Sequence, residues 1–147
     1  MYTIEEFDKQ KSKVMNYIVY KKRTEQETRN KFQDTIDEDM LEDIIEYVKE
    51  AGYLSDKDYI EKAIKEFKTL KNLSIKEIEY KLATKGISRS DIEDYMQENK
   101  EQLTEYEINS AYNLILKKQY KDEQEIIRYL AQKGYLLDNI KKAIEKV

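Results

Sequence analysis

Lysines are the residues best placed to do chemistry in this chain. Lys62, Lys65, Lys68 and Lys71 step by three, and Lys76, Lys81, Lys85 and Arg89 follow closely. Ammonium and guanidinium groups at that density can hold the phosphates or carboxylates of a partner. Because a helix turns by about 100° per residue, a step of three drifts by about 60°, so the first four lysines cannot share one narrow face. Lys62, Lys65, Lys68, Lys71, Lys81, Lys85 and Arg89 are the candidate partner-binding residues. The competing explanation is a solvated helix surface, the ordinary fate of a charge run.

Acidic residues dominate an earlier stretch, where Asp34, Asp37, Glu38, Asp39, Glu42, Asp43, Glu46 and Glu50 face the single Lys49. No glycine-bearing loop of calcium-site spacing accompanies them, and carboxylates at a helix start suit its dipole. The functional readings of this run are a divalent cation or a basic partner, and no metal ligand is assigned. With no His and no Cys, the chain lacks the usual zinc ligands, the His-dependent nucleophile arrangements and disulfides. Neighbouring carboxylates such as Glu77 and Glu79 carry no sign of a pocket, and no Gly-rich phosphate loop exists. The expectation is a binding protein, not an enzyme, with no catalytic residue and no cofactor. Thirteen tyrosines suggest base stacking, but Tyr17, Tyr112 and Tyr129 fall on or beside apolar stripes. Tyr53, Tyr59 and Tyr135 are expected to pack between helices.

The elements that must position these groups are helices. Three glycines, no proline and 39% charged residues leave few breaks in a chain rich in Leu, Ile, Lys and Glu, which points to an all-α fold. The stretch from Ser74 to Met96 returns forty-eight residues later, from Asp122 to Ile144, matching at Glu77/Glu125, Ile78/Ile126, Leu82/Leu130, Ala83/Ala131, Lys85/Lys133, Gly86/Gly134 and Ile92/Ile140. Each copy reads as a capping residue, a carboxylate three positions on, an apolar stripe and a C-terminal glycine. The register extends upstream, since Ile60, Ala63, Ile64 and Phe67 fall on Ile108, Ala111, Tyr112 and Ile115. A weaker copy comes first, with Thr24, Glu27 and Phe32 fifty residues before Ser74, Glu77 and Leu82, and one residue missing where Gly86 would stand. Three tandem three-helix repeats are expected, 1–54, 55–100 and 101–147, forming an elongated, curved array. The join at Glu98 to Leu103 would also suit a continuous helix.

The opening residues lack the apolar core of a signal peptide, and no run is long and apolar enough to span a membrane. A soluble, cytoplasmic monomer is expected. A net charge of −4 counts against a sequence-independent grip on nucleic acid.

The order of these segments resembles the RecX family, bacterial regulators of the RecA recombinase. Lys22-Arg23-Thr24-Glu25-Gln26-Glu27 is similar to the family's basic-then-capped entry into its first short helix, and Gly52-Tyr53-Leu54-Ser55-Asp56-Lys57-Asp58-Tyr59 to its junction. Ile75 to Ile87 and Tyr129 to Ala143 match its second and third repeats in order. Members usually bear a more arginine-rich second repeat, where this chain has Lys68, Lys71 and Asn72. The resemblance implies a regulator in DNA recombination, repair and the SOS response that lies in the RecA filament groove, touching RecA and DNA held within it, and restrains strand exchange and ATP turnover. The lysine surface would face that partner. A direct DNA-binding helical protein and a general helical adaptor are the alternative readings.

Overall fold

A computed structural model describes residues 2–70, 72–120 and 122–147. Among the described residues the regular elements are all helices: α1 (Ile4–Tyr20), α2 (Glu25–Phe32), α3 (Glu38–Glu50), α4 (Asp56–Leu70), α5 (Ile75–Thr84), α6 (Arg89–Glu98), α7 (Lys100–Lys117), α8 (Glu123–Gln132) and α9 (Leu137–Glu145). The fold is all-α.

Five of these helices run to only ten residues or fewer, too short to persist alone in water, so caps and packing must hold them. Capping boxes close the starts of α1, α2 and α5 at Thr3/Glu6, Thr24/Glu27 and Ser74/Glu77. Asp122 accepts the Glu125 N–H at 2.9 Å at the start of α8, and Ser55, one residue ahead of α4, accepts the Asp58 N–H at 3.2 Å. Glycines at positive φ turn the chain after α3, α5 and α8. There Ile87 N–H reaches Leu82 O and Tyr135 N–H reaches Leu130 O, folding the following side chain onto the helix it leaves.

Apolar side chains gather in three separate cores. Val14, Ile18, Phe32, Ile44 and Val48 are central to the first, Ile60, Ile64, Ile78, Leu82 and Ile92 to the second, and Ala111, Ile115, Leu130, Tyr135 and Ile140 to the third. Each fully buried Ile or Leu contributes about 1.5–3 kcal/mol. Helix α7 serves two of them: Leu103 and Tyr106 pack into the second core, Ala111 and Ile115 into the third. A single non-helical residue, Asn99 at φ −115°, separates it from α6.

Candidate partner-binding surface

Caps that close the short helices also join the cores. At the start of α2 the Thr24 hydroxyl accepts the Glu27 N–H at 3.0 Å and donates to Lys85 O, the C-cap carbonyl of α5, at 2.7 Å. At the start of α5 the Ser74 hydroxyl accepts the Glu77 N–H at 3.1 Å and donates to Lys133 O, the C-cap carbonyl of α8, at 2.7 Å. A hydroxyl can do both because it carries a proton as well as lone pairs. Both residues are fully buried. The close approach depends on glycine: a Cβ at Gly86 would stand 2.4 Å from Gln26 Cβ, and one at Gly134 would stand 2.9 Å from Lys76 Cβ.

A carboxylate takes the next N–H at each junction. Glu25 N–H donates to Asp56 Oδ1 at 2.8 Å, and Ile75 N–H donates to Glu107 Oε1 at 2.9 Å. Glu107 is fully buried and also accepts from Asn139 Nδ2 at 2.5 Å and Leu136 N–H at 3.3 Å. Its neighbours on α7 hold the segment before α5, with Tyr106 OH accepting Leu73 N–H at 3.1 Å and Ser110 Oγ donating to Leu73 O at 3.1 Å. Tyr135 OH closes this network at 2.7 Å from Ser110 Oγ, and burial pushes its phenol well above the ordinary range.

Around the first junction the charges are more exposed. Arg29 donates to Glu42 at 2.5 and 3.0 Å and to Glu25 at 3.1 Å, and Lys49 lies 2.8 Å from Glu25. Burial pushes the Glu25 carboxyl up, but its bonds from Lys49 and Arg29 outweigh that and hold it low. Burial raises Asp56, aided by the negative charges of Glu25 and Asp91.

Upon this frame the candidate basic residues fall in several places. Lys62 borders a small cleft of about 70 Å³ with Lys21, Lys22 and Tyr59. Lys65 is exposed. Lys68 lies 5.9 Å over the Tyr106 ring, beside an amide-lined groove that includes Asn72, Gln102, Asn109 and Asn113. Lys71 lies outside the described residues. Lys81 lines a cleft of about 540 Å³ with Lys76, Lys133 and the exposed ring of Tyr80. Lys85 reaches Glu27 at 3.9 Å, and Arg89 donates to Glu93 at 2.9 Å on the surface of α6. None of these three clefts holds two of the seven residues.

Sequence reasoning left Tyr80 and Lys133 out of the candidate set. The signal for Lys133 was its position under Lys85 in the repeat, beside the glycine that admits Lys76. Lys81 stands in the last turn of α5 and Lys133 at the C-cap of α8, where a cation also complements the helix dipole. Tyr53 departs from the packing expected of it, because it is 56% exposed beyond Gly52. Tyr135, at 3%, fulfils the same expectation. Among the described residues no cluster of carboxylates has metal-site geometry, and no helix is long and apolar enough to cross a membrane.

Helices of this order and packing define a class of small all-α proteins with a solved precedent. The crystal structure of RecX from Lactobacillus salivarius superposes with a TM-score of 0.84 over 98% of this chain and 97% of that one, at 23% identity. Among curated relatives, regulatory protein RecX of Clostridium perfringens is 31% identical over 91% of this chain and 66% of its own length. Regulatory protein RecX of Clostridium beijerinckii is 29% identical over 97% of this chain and 70% of its own. The chain belongs to the RecX family. It spans about two thirds of the length of the curated relatives it matches, and no protein-family model matches it.

Proposed function

We propose that the chain is an array of three helical units, residues 1–54, 55–100 and 101–147, that binds the RecA nucleoprotein filament and restrains its recombinase and ATPase activities without chemistry of its own. The observation that carries this reading is the repeated cap-to-turn bond. Thr24 to Lys85 and Ser74 to Lys133, both 2.7 Å, set successive helical groups on one another by the same geometry, which suits a partner that is itself periodic. Contacts with successive protomers would add up by effective concentration although each is weak. The array would restrain the filament by binding one of its states better than another, or by covering a surface that exchange requires.

Lysines supply the complementary charge in this reading. Lys62, Lys65, Lys68, Lys71, Lys81, Lys85 and Arg89 would meet acidic RecA surface or the phosphates of enclosed DNA. The test is the DNA-dependent ATPase of RecA with and without a molar excess of this protein. Inhibition that weakens about tenfold in a Lys68→Glu/Lys81→Glu/Lys85→Glu variant supports the reading, since rim charges mainly set association rate and salt response. Unchanged ATPase at excess protein removes it. Binding to bare DNA with a steep salt dependence and no effect on RecA would favour the direct DNA-binding alternative.

A further inference from the structure

We infer that the cleft between the first turn of α1 and the outer face of α3 is a docking site for a basic segment of a partner protein, seating an arginine or lysine side chain among carboxylates and aromatic rings. The cleft measures about 400 Å³. Asp43, Glu46 and Glu50 stand along one side of it, spaced so that all three rise from the same face of α3. Among the described residues none of them is in an ion pair, although Asp43 accepts the Tyr2 hydroxyl proton. Among the described residues no cation lines the cleft itself.

The facing wall, from Tyr2 to Phe7, is largely apolar, and Tyr47 of α3 extends it beside the carboxylates. Tyr2 stacks on Phe7 with centroids 5.9 Å apart, and Phe7 meets Tyr47 edge-on at 6.4 Å. The chain's own Lys11 already lies 4.6 Å over the Tyr47 ring and 5.7 Å over Phe7, so these rings accept a cation on at least one side. Ile4 is 81% exposed and Tyr47 46% exposed at the rim. Solvation accounts for three carboxylates on a helix face and packing against the first core for Tyr2 and Phe7, but neither accounts for Ile4 and Tyr47 left exposed beside them. A side chain with an aliphatic stem and a cationic head satisfies both walls. Negative charge on this face repels phosphate, so the occupant is a protein segment and not nucleic acid.

The experiment is a ¹H–¹⁵N NMR titration of the full chain with an acetylated, amidated Ser-Gly-Arg-Leu-Arg-Gly-Ser peptide, alongside the same peptide with both arginines replaced by glutamine. The expected result is saturable shifts confined to residues 2–7 and 43–50, absent with the glutamine peptide. Affinity should fall about tenfold in Glu46→Gln/Glu50→Gln and about fivefold in Tyr47→Ala, the loss of charge pairs and of a cation–π face. Both variants alter exposed or half-exposed side chains, so their spectra without peptide should overlay the parent elsewhere.

Four results with peptide present would overturn the proposal. They are equal shifts with the glutamine peptide, equal shifts around Asp91 and Asp94, affinity within twofold in the double variant, or no shift at about 5 mM peptide, the weakest range of specific binding. Concentration-dependent shifts in the protein alone would overturn it too, by assigning the cleft to a second copy of the chain. The titration contains no RecA, so its outcome is independent of the filament reading.

Discussion

Two junctions between the cores are built on one plan and finished differently. In both, a buried hydroxyl caps a short helix while donating to the C-cap carbonyl of another, and a carboxylate receives the next N–H. At the first junction that carboxylate is the half-buried Asp56, surrounded by the partly exposed Glu25, Arg29, Glu42 and Lys49. At the second it is Glu107, fully buried and bonded to donors from α5, the start of α9 and Asn139. The cap-to-turn bond therefore sets the geometry, and its surroundings decide how it is held. The first junction can exchange its partners for water and respond to salt and pH, whereas the second cannot open without stranding buried polar groups.

Removing the carboxylates should separate the two most sharply. Glu107→Ala leaves three donors without an acceptor and should cost about 3–5 kcal/mol, while Asp56→Ala, where water can enter, should cost about 1 kcal/mol. Urea unfolding measures both, and hydrogen exchange locates the loss, in α5 and α9 for Glu107→Ala and in α2 for Asp56→Ala. Equal costs would mean that burial does not distinguish the junctions.

The glycines test the shared part of the plan. Gly52 and Gly86 have nearly the same φ, +83° and +85°, but a Cβ at Gly52 meets nothing within 4 Å, whereas one at Gly86 stands 2.4 Å from Gln26 Cβ. Gly52→Ala should cost about 1 kcal/mol for backbone strain alone. Gly86→Ala should cost about 2–4 kcal/mol, because the junction must also shift. Thermal unfolding of the pair isolates the value of close approach.

The caps come next in size. Ser74→Asp keeps an acceptor for the Glu77 N–H but has no proton for Lys133 O, and it sets a carboxylate against a carbonyl at 2.7 Å. Ser74→Ala and Thr24→Ala should each cost about 1–2 kcal/mol, cap and donated bond together. Ser74→Asp should cost no less than Ser74→Ala, although aspartate is as good an N-cap in isolation. Asp122, at the matching position of α8, shows that the carboxylate serves where the cap alone is used. Stability of Ser74→Asp equal to the parent would break the two-role account of the hydroxyl.

Much of this frame was legible in the residues. Thr24/Glu27 and Ser74/Glu77 gave their helix starts as capping boxes, Gly86 and Gly134 gave the turns, and the apolar stripes gave the buried faces, since all of these are local signals. What could not be read was the second use of the same atoms. Nothing in Ser74 or Lys133 alone says that they meet across fifty-nine positions. Glu107 left a fainter mark, a carboxylate four residues after Leu103 and four before Ala111, in line with side chains that are buried. The lysine set was legible as charge but not as a surface. Its members sit on different elements, so whether they converge depends on packing that sequence spacing does not carry. The cleft of Tyr2, Phe7 and Tyr47 escaped for the same reason, since Tyr2 and Phe7 come from the start of the chain and Tyr47 and the carboxylates from α3, beyond α2 in sequence.

Proton linkage should give the smallest effect and the finest distinction. Asp56 is held above its ordinary value of 3.8, first by burial, so the fold favours its protonated form. Its contribution to stability therefore falls as pH rises from the ordinary value through the raised one. Glu25 runs the other way: burial raises it, but the bonds from Lys49 and Arg29 carry it below its ordinary 4.5. Its stabilisation is present above that value and is lost as pH falls through the lowered one. Acidification thus weakens one half of the first junction while relieving the other, and the parent should show a net change of about 1 kcal/mol or less, the scale of one partly exposed pair. Asp56→Asn keeps an oxygen for the Glu25 N–H and removes the relief, so its acid destabilisation should be steeper than the parent's. Arg29 holds Glu42 low as well, so Glu25→Gln/Glu42→Gln removes the loss, and that variant should gain stability as pH falls through the raised value of Asp56. Urea midpoints measured across pH 3.5 to 6 read the two slopes, with exchange of the α2 amides assigning them to this junction. Slopes of the same sign in both variants would show that the carboxylates titrate as one solvated surface, and the contrast between an adaptable first junction and a fixed second one would lose its electrostatic half.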